Sequence, residues 1–289
     1  MVNFIENINS LYDISKNCHL CPHSCGVNRF ENEVGFCYAP LHPYVADYLV
    51  HFYEESVVSG SNGSGTIFFS RCNMKCLYCQ NYEISTELSG QMYVPEALAD
   101  LMLSMQGKNV HNINLVSPTH NIASIAEAIY IAKGKGLGVP VIYNSGGYES
   151  LSTIKLLEGL IDVYMPDFKY ADSELSMKLS KARDYPFYAA VAIKKMFEQV
   201  GSLKIVNNVV VSGVLIRHLV LPGFIDNSLN VLYLIRDIIK PQKVYINIMD
   251  QYHPAYKANT FKKLARRVSL EEYNYIVGKA KTLGFNIVK

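Results

Sequence analysis

Long apolar runs are missing from this chain. No stretch reaches about 18 uninterrupted apolar residues, so nothing in it is expected to cross a bilayer as a helix. A basic-then-apolar leader is missing too, since Met1 to Tyr12 carries Glu6 and lacks that layout. Neither sign of charge dominates: 27 Lys and Arg stand against 25 Asp and Glu, for a formal net charge of +2. That balance removes any global argument for nucleic acid or a membrane surface as partner. Low-complexity segments and internal repeats are absent. The cysteine count, seven, is odd. Clustered at short spacings in a chain without a leader, seven thiols favour metal over disulfides and a cytoplasmic location. What remains is 49% hydrophobic residues in 289, enough for a large core. That length admits two domains or one α/β barrel with an extension.

The most informative stretch is Ser70-Arg71-Cys72-Asn73-Met74-Lys75-Cys76-Leu77-Tyr78-Cys79-Gln80. Three cysteines at C-x3-C-x2-C spacing follow Thr66-Ile67-Phe68-Phe69, which reads as a buried strand. Three thiolates on one tight loop can hold three irons of a [4Fe–4S] cube. With no fourth cysteine on the loop, one iron stays open to bind something that reacts. Structural zinc, the main rival, usually takes four ligands.

After Cys79 the chain alternates strand and helix signals. Pro95 to Gln106 places Ala97, Leu98, Leu101, Met102 and Met105 on one helical face. Strands are expected at Asn112 to Val116, Val139 to Tyr143, Val163 to Met165, Val214 to Leu221 and Val244 to Met249. Helices are expected after Asn121 as N-cap, after the Gly146-Gly147 turn, over Asp172 to Lys181 and Tyr188 to Val200, and around Leu232 to Ile239. A capping box, Ser269-Leu270-Glu271-Glu272, opens a last helix that stops near Gly284. Six β/α units with repeated crossovers imply a parallel sheet with helices outside. The fold expected is α/β: a partial (β/α)6 TIM-like barrel over residues 61–289. A cysteine-rich extension, residues 1–60, precedes it, joined by a flexible Gly/Ser link, Ser59-Gly60-Ser61-Asn62-Gly63-Ser64-Gly65. In that extension Cys18, Cys21, Cys25 and Cys37 can wrap one tetrahedral metal, zinc or a second iron–sulfur cluster, with free or bridged thiols as the alternative.

Chemistry in such folds collects where strands end. Those ends carry Ser117-Pro118-Thr119-His120, Asn144-Ser145-Gly146, Asp167-Phe168-Lys169, Arg217 and Met249-Asp250-Gln251-Tyr252-His253. Asp167 and Lys169, two apart in extended chain, project the same way and can receive a hydroxyl and a carboxylate, or form a rim salt bridge. Arg217 suits bidentate capture of a carboxylate, from a ligand or from within the protein. His120 and His253 are candidate relays or hydrogen-bonded loop residues. The basic run Lys257, Lys262, Lys263, Arg266, Arg267 reads as a solvated face or a surface for an acidic partner.

The cysteine motif, with Tyr78 in its last gap and Gln80-Asn81 after it, resembles the signature of the radical S-adenosylmethionine (SAM) superfamily. Its flanks resemble the branch of pyruvate formate-lyase activating enzymes, and the N-terminal cysteines resemble a subgroup of that branch. Arg71 stands where such proteins commonly have Gly. The resemblance implies SAM bound at the open iron of a cluster on Cys72, Cys76 and Cys79. It also implies cofactor contacts from Tyr78, from Ser117 and Thr119 (in place of an absent Gly-Gly-Glu stretch), and from Asn144, Asp167, Lys169, Arg217 and Gln251. It implies one electron from a donor such as flavodoxin or ferredoxin, cleavage of SAM to a 5′-deoxyadenosyl radical, and abstraction of hydrogen from a glycine of a partner protein. Modification of another peptide, a sugar or a small molecule is a sister reading. A non-catalytic zinc module, which would be colourless rather than brown, is the alternative of another class.

Overall fold

The structure, a computed structural model, describes residues 3–289. The chain opens with helix α1 (Phe4–Lys16), then a coil segment bearing the first four cysteines, strand β1 (Tyr44–His51) and one helical turn, α2 (Ser56–Ser59). The barrel begins at β2 (Ser64–Phe69), followed by α3 (Tyr82–Thr86), the short β3 (Gln91–Met92) and α4 (Pro95–Gln106). Next come β4 (Ile113–Val116), α5 (Ile122–Gly134), β5 (Val141–Ser145), α6 (Leu151–Leu156) and β6 (Val163–Pro166). Helices α7 (Ser173–Ser180) and α8 (Tyr185–Val200), strands β7 (Lys204–Val206) and β8 (Val209–Leu219) and helix α9 (Ile225–Ile238) continue the alternation. Strand β9 (Tyr245–Met249), α10 (Leu270–Leu283) and β10 (Asn286–Val288) complete it.

The strands form one sheet in the order β10-β9-β8-β6-β5-β4-β2-β1-β3, with β7 paired to β8 at the side. All neighbours from β10 to β2 are parallel, while β1 and β3 add in antiparallel. The six expected strands are thus consecutive members of an incomplete α/β barrel. Helix α4 buries Leu98, Leu101, Met102 and Met105, as its spacing predicts, but Ala97 of that stripe is exposed and Ala99 is buried instead. The capping box at Ser269 and Glu272 is formed on both sides, and Gly284 ends α10 in the left-handed region.

Three expectations need correction. Ser59–Gly65 is no slack linker: α2 closes at Ser59, Gly60 and Gly63 turn the chain at φ +49° and +78°, and β2 starts at the buried Ser64. The 1–60 extension is also not separate from the sheet, because β1 lies in it and pairs with β2 along its whole length. Asn121 precedes α5 but makes no side-chain cap. Its amide donates instead to the Pro40 and Leu41 carbonyls at 2.6 and 3.1 Å, fastening the extension to the barrel.

Candidate functional site

At the end of β2 the chain turns sharply into the cysteine loop. Arg71 takes φ +72°, its N–H donates to the Ile84 carbonyl at 2.7 Å, and its guanidinium reaches the Thr86 carbonyl. Glycine enters that region freely and other residues at a cost of about 1–3 kcal/mol. The backbone at Arg71 is therefore one that glycine would adopt more easily. The loop is held from outside by three backbone bonds: Lys75 N–H to Ser180, Leu77 N–H to Leu179, and Lys257 N–H to Leu77.

Cys72, Cys76 and Cys79 line one cavity of about 170 Å³ together with Ser117, Asn144, Asp167, Lys169 and Arg217. A larger cleft of about 390 Å³ shares Cys76, Cys79, Asn144, Asp167, Lys169 and Arg217. It runs on past Tyr78, Gln80 and Gln251 to His51 and Glu54. Each thiol has a donor beside it: the Met74 N–H at 3.4 Å from Cys72, the Ser180 hydroxyl at 2.9 Å from Cys76, and the Ser85 hydroxyl at 3.4 Å from Cys79. Donors aimed at sulfur suit thiolates, and such bonds tune a cluster's potential. Among the described residues no three His, Cys, Asp or Glu side chains close on a single ion position. Three thiols on one loop, each with a donor beside it and facing one cavity, are the donor set that an iron–sulfur group takes.

The charges of the cleft are arranged around Asp167. It bonds Lys169 and accepts from Arg217 Nε at 3.1 Å. Arg217 also donates to Asn144 Oδ1 at 2.6 Å and lies 3.7 Å from Glu54. The partner of Arg217 is therefore internal, and no free fork is offered to a ligand carboxylate. Burial pushes the Asp167 carboxyl up, but Lys169 and Arg217 outweigh it and hold the group below the usual carboxylate range. Lys169 loses stability to burial and regains more from Asp167, so its ammonium stays charged. Glu54 is raised by burial, against the pull of Arg217. Glu54 carries no local sequence signal, because only the pairing of β1 with β2 brings it under the barrel.

Tyr78 lines the cleft, with its hydroxyl 2.6 Å from that of Tyr170, which is 2.5 Å from Ser180 Oγ. Thr119 is the one cofactor candidate outside both cavities. Its hydroxyl donates to the buried Glu149 at 2.7 Å, with Tyr143 on the other carboxylate oxygen at 3.0 Å. His120 is a strut: Nε2 meets the Ser70 carbonyl at 2.8 Å, and burial lowers its pKa to about 4. His253 sits at the exposed rim, 3.2 Å from the Gln80 amide. The four N-terminal cysteines lie outside the cleft, in the segment between α1 and β1. His23 of that segment meets the Asn73 carbonyl of the cysteine loop at 2.8 Å.

The sequence profile described as the Radical SAM superfamily matches residues 66–235, more than half the chain. The chain belongs to the radical SAM superfamily. Membership implies SAM and a [4Fe–4S] cluster as cofactors. Among its relatives, the uncharacterized protein MJ0674 of Methanocaldococcus jannaschii is 32% identical over 290 residues, covering 96% of this chain and 78% of that protein. The uncharacterized protein MJ0808 of the same organism is 24% identical over 303 residues, covering 92% and 82%. Among solved structures, Streptococcus suis SuiB bound to its precursor peptide SuiA superposes with a TM-score of 0.53 at 14% identity. SuiB bound to S-adenosylmethionine gives the same score. The match covers 75% of this radical SAM chain and less than half of SuiB, 46%, and speaks to the fold. No described helix is long and apolar enough to cross a membrane.

Proposed function

We propose that this radical SAM protein cleaves SAM reductively at a cluster held by Cys72, Cys76 and Cys79, and directs the radical at a glycine in a partner protein. The observation that carries this reading is the shared cavity: three donor-flanked thiols open onto the same space as Asn144, Asp167, Lys169 and Arg217. Cys72, Cys76 and Cys79 would hold the cluster, which when bound would supply the one-electron reduction that splits SAM. Lys169 supplies a charged donor for the methionine carboxylate, while Asp167 keeps that ammonium protonated and aimed. Tyr78 and Gln251 wall the far side, where the adenine end lies, and Ser117 borders the methionine end. Arg217 fixes Asp167 and Asn144 in place rather than touching the ligand. Cleft walls position the target C–H bond and keep water from the radical. The cleft opens toward Tyr53, which is 91% exposed, so an extended peptide has a route in. SuiB, of the same fold, is described with a precursor peptide bound, which keeps modification of another peptide as the second reading. A one-electron donor such as flavodoxin or ferredoxin in a reducing cytoplasm completes the scheme.

The test is direct. Reconstituted without oxygen and reduced with dithionite, the brown protein should release 5′-deoxyadenosine and methionine slowly without any substrate. Cys72→Ala, Cys76→Ala or Cys79→Ala should each abolish that release, because each removes one of three anchors. Normal turnover in the triple variant would sink the assignment, and a colourless zinc protein would replace it with the structural reading.

A further inference from the structure

The cysteines that the cleft leaves unused surround a buried arginine whose partners include no carboxylate. Arg29 is 3% exposed. Its Nε donates to Cys18 Sγ at 3.1 Å, and Nη2, on the same edge of the guanidinium, donates to Cys37 Sγ at 3.2 Å. Nη1 is taken by the carbonyls of Ala39, Pro40 and His120. A guanidinium is always charged, and burying it without an anion is costly. Here the fork that ordinarily grips two carboxylate oxygens grips two sulfurs. A free thiol is a weak acceptor and metal-bound sulfur a stronger one, so two guanidinium donors aimed at two sulfurs suit sulfur that is bound to a metal.

A second set of observations points the same way. Cys25 Sγ accepts from the Phe36 N–H at 3.2 Å. A Cβ on Gly35 would stand 2.8 Å from both Cys25 Cβ and Cys25 Sγ, so only glycine lets the two segments approach this closely. Ser24 and Gly26 flank Cys25 at φ +44° and +72°, and Tyr38 follows Cys37 at +56°. The Cys18 N–H and carbonyl pair with Val27 and Gly26, which brings the turn after Cys25 back beside Cys18. Outside donors on the sulfurs and left-handed residues beside the cysteines are the pattern found at Arg71 to Cys79. Two further thiols, Cys21 and Cys25, stand in the same short segment.

We propose that Cys18, Cys21, Cys25 and Cys37 form a second, closed metal centre of four thiolates, with Arg29 as its outer cation. Its metal is thiophilic, zinc or the iron of a second cluster. No three sulfurs close on one point as the side chains stand, at this set or the first. Binding one ion requires these side chains to rotate inward. With four protein ligands it has no open position for SAM. Through His23 and Asn73 it braces the loop of the first centre. The proposal does not depend on the radical reading.

The experiment uses the full chain carrying Cys72→Ala, Cys76→Ala and Cys79→Ala, purified without oxygen. Zinc, iron and acid-labile sulfide are measured, and thiols are titrated before and after unfolding. One equivalent of zinc without sulfide, or about four irons with sulfide, is the expected result, with the remaining thiols protected until unfolding. A folded chain free of both metals, or one holding a Cys18–Cys37 disulfide, overturns the proposal. Arg29→Met and Arg29→Lys in the same background test the outer cation while sparing all four ligands. Loss of metal to a chelator should be roughly tenfold to a hundredfold easier in Arg29→Met, as for other outer-shell partners, with Arg29→Lys between. The absorption bands of the thiolate–metal bonds should shift in both, which loss of packing alone would not do. If Arg29→Met does not fold, the bands and chelator sensitivity of Arg29→Lys decide. Unchanged bands and unchanged metal retention would remove Arg29 from the site.

Discussion

Asp167 is the residue on which the cleft's electrostatics turn, because it faces both Lys169 and Arg217. Removing it leaves two buried cations without their shared anion, whereas removing Lys169 leaves Asp167 still paired with Arg217. Asp167→Ala and Lys169→Ala should both weaken SAM binding, by roughly ten- to hundredfold for one charged hydrogen bond of about 1.5–3 kcal/mol. Iron content should stay near wild type in both, since neither is a cluster ligand. Asp167→Ala should be the less stable protein, because an uncompensated buried charge costs about 3–5 kcal/mol. Equilibrium binding, iron analysis and chemical denaturation check the three claims. Equal iron loss in both variants would make the pair a structural brace. The Asp-x-Lys pair was legible because two residues apart in an extended chain is a local relation. The third member, Arg217, lies 50 residues on, and its true partners needed the strand order.

At the scale of elements, β8 is tied to its neighbours by a neutral histidine. His218 is fully buried, with Nδ1 donating to the Phe168 carbonyl at 2.7 Å and Nε2 accepting from Ser228 at 2.8 Å. It joins the end of β6 to α9 through the middle strand. Burial pushes its pKa down from 6.5 to about 4. The unfolded chain therefore binds a proton that the folded one refuses, and stability rises with pH across that interval. His218 contributes stability that is present above pH 6.5 and is lost as pH falls toward 4. His218→Gln should be destabilised by about 1–3 kcal/mol at pH 7.5 and should lack this part of the acid slope. The gap between the two proteins should thus narrow by up to about 3 kcal/mol between pH 6.5 and 4. Parallel denaturation curves with a constant gap would show that His218 does not titrate in that range. Helix periods, strand runs and the capping box at Ser269 were readable at this scale, while the cap expected at Asn121 was not formed. The short edge strands β3 and β10 were not, since such a strand is defined by the partner it meets, and neither was β1, which lies between β2 and β3.

Taken whole, the molecule sets Lys257, the first member of its basic run, against the cysteine loop, while Lys263 and Arg266 turn to Gly223 and Glu272. Lys257 donates its N–H to Leu77, Lys178 lies 4.8 Å from the Phe261 ring, and the exposed Lys75, Lys178, Lys181 and Lys257 surround the outer side of the loop. Glu174 and Asp184 break the charge within the depression that Lys178 and Lys181 line. Behind this surface the Ser180 hydroxyl donates to Cys76 Sγ at 2.9 Å. An acidic donor protein should therefore dock here. Reversing Lys178, Lys181 and Lys257 to Glu should slow SAM cleavage driven by reduced flavodoxin at least tenfold at low salt, and less as salt rises. Cleavage driven by dithionite should be unchanged. Equal rates with the protein donor would move the docking site elsewhere.

The sequence by itself determined what depends on near neighbours along the chain. That includes three cysteines within eight residues at a strand end, the six β/α periods behind an α/β barrel, the capping box at Ser269, and which polar residues lie at strand ends. Period and spacing are set by local backbone geometry and need no knowledge of the partner strand. Tertiary structure alone decided which of those side chains enter the cleft. Ser117 lines it, while Thr119, two residues on, turns to Glu149. Tertiary structure also supplied Glu54, gave Arg217 its internal partners, seated Arg29 between two cysteines, and made a Gly/Ser stretch the buried entry to β2. Each of these joins segments far apart in sequence. Their geometry follows from strand order and from the need of every buried charge for a partner, which no window along the chain contains.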